Sequence, residues 1–240
     1  MNNTIVDLET FSRIFRENLV KRSRTAKGSS DTSTSSKKRK LLKEGEELVR
    51  QVEENTSRLI ESVWLERDAH RLDADGLRAL FEKWYDIINF NLQPQDAYKE
   101  AFEKLSQDAK YLELKTGKPY RINKRYRVWE VSYTTFNLNP LELELAMDSF
   151  YFAFSWKIEV ARAGAVYKPT LLATADYMID GQIHPWADGC GRHSTAVVMW
   201  LSLLAPPEGL PIFETREEHY STIRNLSGHT KYYERCLANT

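Results

Sequence analysis

His184-Pro185-Trp186-Ala187-Asp188-Gly189-Cys190-Gly191-Arg192 sets an imidazole, a carboxylate, a Gly-X-Gly turn and a guanidinium side by side. The apolar run Thr195 to Ala205 comes next and predicts a buried helix. Glycines before a helix let backbone N–H groups converge, and the helix end adds partial positive charge. The stretch therefore predicts an anion-binding turn with a base just upstream. Arg192 adds a fork suited to phosphate. Asp188 is a hard oxygen ligand suited to Mg²⁺, and His184 titrates near neutral pH. Phosphoryl-type transfer needs those parts. A zinc site from His184, Asp188 and His193 is the weaker reading, because Arg192 would stand beside the metal.

Outward from this stretch the pattern is helical. Pro169 opens a helix expected to end near Gly181, and Pro206-Pro207 closes the one after the loop. Asn139-Pro140-Leu141-Glu142 reads as a capped helix start. The helix it opens carries Phe150, Tyr151, Phe152, Phe154 and Trp156, which predicts a central position. Leu48, Val52, Leu59, Ile60 and Val63 recur at helical spacing, as do Leu77, Leu80, Phe81, Trp84, Tyr85 and Ile88. A further helix is expected from Pro94 to about Leu112. Alternating residues between Tyr120 and Phe136 predict a short β-hairpin. Two helical stretches are expected near Glu217–Leu226 and Lys231–Leu237. His193 is expected to face solvent or phosphate at a helix start, and His219 and His229 to lie on the surface. Tyr232 and Tyr233 are expected to pack between helices, with stacking on an adenine as the other option.

Composition bounds the class. At 42% hydrophobic residues the chain can bury a sizeable core, and its formal net charge of zero does not favour nucleic acid as a partner. Two cysteines are too few for a disulfide framework. Met1-Asn2-Asn3-Thr4 leads into charged sequence, so neither a secretory leader nor a membrane span is expected, and the expected location is cytoplasmic. Residues 1–40 read as an amphipathic segment (Leu8, Phe11, Ile14, Phe15, Leu19) and then a basic, Ser/Thr-rich linker, and residues 41–240 as one domain.

The nine-residue stretch resembles the Fic motif, His-Pro-Phe-X-Asp/Glu-Gly-Asn-Gly-Arg-X-X-Arg. Residues 117–136 resemble that family's flap hairpin. Ser57-Arg58-Leu59-Ile60-Glu61-Ser62, within a helix at about 45–66, is similar to its inhibitory helix. The resemblance runs from about Asn55 to the C-terminus. It implies an all-α Fic-like domain with a short β-hairpin flap. It also implies transfer of AMP, or another phosphate-linked group, from ATP or another nucleotide to a Ser, Thr or Tyr hydroxyl of a target protein docked at the flap.

In that scheme His184 is the base and Asp188 holds Mg²⁺. Gly189, Cys190, Gly191 and Arg192 cradle the phosphates, with Arg192 also catalytic. Ser57 and Glu61 belong to the regulatory helix. Delivery to a host cell as an effector and a homo-oligomer are both compatible with it. The chain departs from the motif twice: Cys190 stands at the Asn position and Thr195 at the second Arg. A thiol forms weaker hydrogen bonds than an amide, so the alternative is a degenerate Fic fold that binds a nucleotide or protein without turnover. A second alternative makes Cys190 a nucleophile, with its thiol activated at the helix N-terminus.

Overall fold

The structure is a computed structural model that describes residues 6–22, 46–68, 72–91, 140–186, 189–207, 209–223 and 225–239. The expected helix from Pro94, the flap at 117–136, the Ser/Thr-rich linker and Asp188 lie outside the described residues. Among the described residues every regular element is a helix. They are α1 (Leu8–Arg22), α2 (Glu46–Leu65) with a 3-10 turn (Glu66–Asp68), α3 (Ala74–Asn89), α4 (Pro140–Arg162), α5 (Lys168–Asp176), a π turn (Tyr177–Ile183), α6 (Cys190–Leu204), α7 (Arg216–Thr222) and α8 (Leu226–Ala238).

The helix after the loop is the hub. Thr195 through Leu201 are all fully buried, as an all-round apolar helix must be. α6 packs against α1, α2, α3, α4 and α5, and α5 packs in turn on α8. Lys168, only 1% exposed, donates from Nζ to the carbonyls of Ser202, Pro207 and Gly209 at 2.7, 2.7 and 2.8 Å. A cation at the negative end of α6 satisfies carbonyls that the helix cannot pair.

α3 forms where the sequence predicts it. Asp73 caps it by accepting from Gly76 N at 2.8 Å. Its buried face is Leu77, Leu80, Phe81, Trp84, Tyr85 and Ile88, and Phe81 and Trp84 pack edge-on against Trp200 of α6.

The N-terminal helix belongs to the same core. Phe11, Ile14, Phe15 and Leu19 are buried, and each such side chain contributes about 1.5–3 kcal/mol on leaving water. Asn18 fastens α1 to the chain between α6 and α7. Its Nδ2 donates to Pro211 O at 2.7 Å and its Oδ1 accepts from Phe213 N at 2.9 Å.

α4 is less enclosed than its aromatic content predicts. Phe150, Tyr151 and Phe154 are buried, but Phe152 and Trp156 are 66% and 65% exposed. Aromatics on all sides of a helix do not by themselves place it at the centre, because only one face meets α3 and α6 here.

Candidate functional site

The helix opened at Lys168 does not stop at Gly181 in α geometry. It widens into the π turn Tyr177–Ile183, closed by His184 N donating to Ile179 O at 3.0 Å. Such turns insert one residue into a helix and re-aim the chain beyond it. The first residue beyond is His184, with φ 47° and ψ 62°. A side chain in that left-handed region costs about 1–2 kcal/mol, so surrounding contacts must hold it there.

The Nδ1 of His184 lies 2.9 Å from Asp180 O. A carbonyl can only accept, so Nδ1 carries the hydrogen and Nε2 is the basic nitrogen of the neutral ring. The side chain is 9% exposed.

The loop between His184 and α6 is held from inside. Trp186 is fully buried and stacks on Tyr85 of α3, with ring centroids 4.1 Å apart. Its Nε1 donates to His193 Nδ1 at 3.3 Å, and His193 Nε2 donates to Phe81 O at 2.9 Å. His193 is therefore a buried staple of one tautomer, 1% exposed, and does not face solvent or phosphate as the sequence suggests. Its ring spends both nitrogens joining the loop to α3.

Gly189 caps α6 at φ 87°. A Cβ there would also stand 3.1 and 3.2 Å from the Asn89 amide, so both backbone and space demand glycine.

The two departures from the motif turn inward. Cys190, 2% exposed, accepts from Trp186 N at 3.4 Å and donates to Trp186 O at 3.6 Å. Thr195 Oγ1 donates to Gly191 O at 2.8 Å. The Cys190 thiol thus closes the loop on itself, which favours packing over nucleophilic use.

Arg192 sits at the C-terminal end of α3. Its Nη1 donates to Ile88 O at 3.3 Å and its Nη2 to Asn89 Oδ1 at 3.2 Å. From α2, Asn55 donates to the carbonyls of Ile88 and Phe90 at 3.1 and 2.8 Å, and the Arg58 guanidinium lies over the Phe90 ring. Ser57 accepts from Arg16 Nη2 at 2.9 Å and donates to Glu53 O. Glu61 is exposed.

Beneath the loop lies a charged cluster that no sequence pattern assembles. Asp176, fully buried, accepts from Arg22 Nη1 and Nη2 at 3.1 and 2.8 Å, and from Ser194 Oγ. It also accepts from His219 Nε2, His229 Nε2 and Tyr233 OH at 2.8, 2.8 and 2.7 Å. His219 and His229 are 0% exposed, so neither lies on the surface. Their polarity is matched by one carboxylate instead of by water.

Burial alone would raise the Asp176 pKa; the Arg22 guanidinium, with His219 and His229, overcomes it and holds the carboxyl well below its ordinary value. Burial, then the Arg22 charge, pushes His219 down to about 4, although Asp176 opposes the shift.

The ligand atoms of Asp176, His219 and His229 all lie within 4.8 Å of one another, close enough to hold a metal ion. Their 2.8 Å separations from the carboxylate are hydrogen-bond lengths. Ligands of a tetrahedral zinc at about 2.0–2.1 Å stand about 3.3 Å apart. Arg22 already supplies the positive charge, so the trio reads as a hydrogen-bonded anchor for a carboxylate.

The depressed His219 pKa has a consequence for stability. Below pH 6.5 the unfolded chain takes up a proton that folded His219 refuses until about pH 4. Stability is therefore full above pH 6.5 and falls as pH drops from 6.5 to 4, by about 3 kcal/mol. The thermal midpoint should fall steeply across that window, and His219→Gln should flatten the fall. A wild-type midpoint constant from pH 7 to 5 would contradict this.

Asp176, Asp180 and His184 are spaced i, i+4, i+8 in the sequence, from the end of α5 through the π turn to the residue that follows it, a signal that the sequence contained. Arg22, Ser194, His219, His229 and Tyr233 come from four other helices, and no local pattern joins them. No described helix is long and apolar enough to cross a membrane. No protein-family model matches the chain, and neither a curated protein nor a solved structure matches it.

Proposed function

We propose that the loop from His184 to Arg192 is the site of a Fic-type transferase. It moves AMP, or another phosphate-linked group, from a nucleotide onto a protein hydroxyl. The observation that carries this reading is the bond from His184 Nδ1–H to Asp180 O. It makes Nε2 the base, on a residue held in a left-handed conformation five residues before the glycine that caps α6. His184 removes the hydroxyl proton as the oxygen attacks phosphorus. The first turn of α6 and Arg192 offer donors to phosphate oxygens. Mg²⁺, held by Asp188, would neutralise phosphate charge when bound.

The test is incubation with a panel of α-labelled nucleotides, Mg²⁺ and a cell lysate, beside a His184→Ala control. Intact-mass analysis identifies the group transferred. No His184-dependent label with any nucleotide sinks the reading.

Cys190→Asn offers a second check. An Asn amide has both an acceptor and donors for the two contacts that Cys190 makes with Trp186. The variant should keep the loop and transfer at least as fast as wild type. A thiol nucleophile would instead lose all activity in both Cys190→Asn and Cys190→Ser.

One observation favours a second reading, a module that binds a nucleotide or protein without turnover. Cys190 and Thr195 spend their side chains inside the protein, where the motif's Asn and second Arg would serve the nucleotide. Nucleotide-dependent thermal stabilisation without any transfer would select it.

A further inference from the structure

Asp180 is 1% exposed and sits between Arg22 and His184. Its Oδ2 accepts from Arg22 Nη2 at 3.2 Å. Its Oδ1 has no hydrogen-bond partner and lies 3.6 Å from His184 Nδ1. A Cβ on Gly191 would stand 3.9 and 4.0 Å from the two carboxylate oxygens, so Asp180 lies under the first turn of α6, the positive end of that helix. Arg22 and the helix end set positive charge against the carboxylate in a place where an unpaired charge would be costly. Arg22 is itself clamped by Asp176, so the geometry runs from Asp176 through Arg22 and Asp180 to His184.

We propose that Asp180 and Arg22 are positioning residues for His184. The Asp180 main-chain carbonyl orients the imidazole, the Asp180 carboxylate balances the charge that His184 acquires as a base, and Arg22 fixes that carboxylate. The proposal rests on the transfer reading for what His184 does, while the charge pairing stands on its own geometry. In the step, the hydroxyl proton passes to His184 Nε2. The hydroxyl oxygen bonds to the α-phosphorus, and the bond from that phosphorus to the departing pyrophosphate oxygen breaks. Asp180 takes no proton; its free oxygen faces the imidazolium across Nδ1. This is the arrangement in which a third group orients a base.

Other charged or titratable groups around the π turn come from several elements. They are Asp176 on α5, and Tyr220 on α7, whose hydroxyl lies 3.7 Å from the Gly191 Cβ position. Glu159 and Arg162 belong to α4, which packs on the π turn, and each buries a side-chain atom. Among the described residues, Asp180 is a carboxylate at ion-pair distance from His184.

The test tracks the histidine ring signals of the full chain by NMR as pH is varied. Five histidines make the spectrum tractable, and the His184 signal is the one lost in His184→Ala. Asp180→Asn keeps the shape and an acceptor for Arg22. In it the His184 titration midpoint should fall by about one pH unit or more, the usual effect of losing an opposite charge at this range. Transfer should slow about tenfold in kcat, with the nucleotide KM unchanged.

An unchanged midpoint in the folded variant overturns the proposal. Should Asp180→Asn fail to fold, wild-type protein labelled at aspartate carboxyl carbons reads the same pairing. The Asp180 carboxyl signal must step at the His184 midpoint, and no step overturns the proposal. If the midpoint shifts but wild type transfers no label, the transfer reading falls and the pairing stands.

Discussion

Asp176→Ala should cost the protein about 5 kcal/mol of folding stability. Arg22 is fully buried, and burial would lower its pKa, yet the Asp176 carboxylate holds it well above its ordinary value. Removing one partner of a buried pair leaves an uncompensated charge, which costs about 3–5 kcal/mol. Ser194, His219, His229 and Tyr233 would lose the acceptor they share, so the loss lies at the upper end of that range. Domains have only about 5–15 kcal/mol in total.

The same logic predicts that Asp176→Asn, which keeps an acceptor oxygen, falls between Ala and wild type. Urea unfolding monitored by circular dichroism measures all three. A cooperative transition for Asp176→Ala within about 1 kcal/mol of wild type would show that the cluster contributes little.

Replacing His184 should remove transfer while leaving the fold. General-base catalysis contributes about 10²–10⁴-fold, so His184→Asn should lose activity by that factor. Asn is the informative substitution because it tolerates the left-handed backbone that His184 occupies. His184→Ala has no such tolerance and mixes strain with the loss of the base. The thermal midpoint of His184→Asn should therefore stay within a few degrees of wild type. A His184→Asn protein that is folded and still labels its target at the wild-type rate would remove the imidazole from the mechanism.

Much of the helical framework could be read from the sequence. The apolar spacing of Leu77 to Ile88 names the buried face of α3 in full, because a 3.6-residue period leaves a recognisable stripe. The apolar run after Cys190 identifies α6, and the glycines mark its head. Helix ends were less legible. Nothing local distinguishes α from π geometry at Tyr177, so Gly181 read as a stop when the chain in fact continued to Ile183.

The buried polar groups were harder still. His193, His219 and His229 read as exposed because polar side chains usually are. Each is buried because a partner waits for it elsewhere in the chain: Trp186 and Phe81 O for His193, Asp176 for the other two.

Among the described residues, the sequence by itself determined most of the helices, the apolar face of α3, and that an imidazole, a glycine turn and a guanidinium stand together at the head of a buried helix. Those properties are local, set by side-chain period and by what glycine and proline permit. Only the tertiary structure decided which nitrogen of His184 is basic, that Cys190 and Thr195 turn inward, and that Arg22 reaches across the chain to Asp176 and Asp180. Those depend on which groups lose water together. A buried charge is tolerable only where packing brings its counter-charge within hydrogen-bond reach, and no spacing along the chain encodes that meeting.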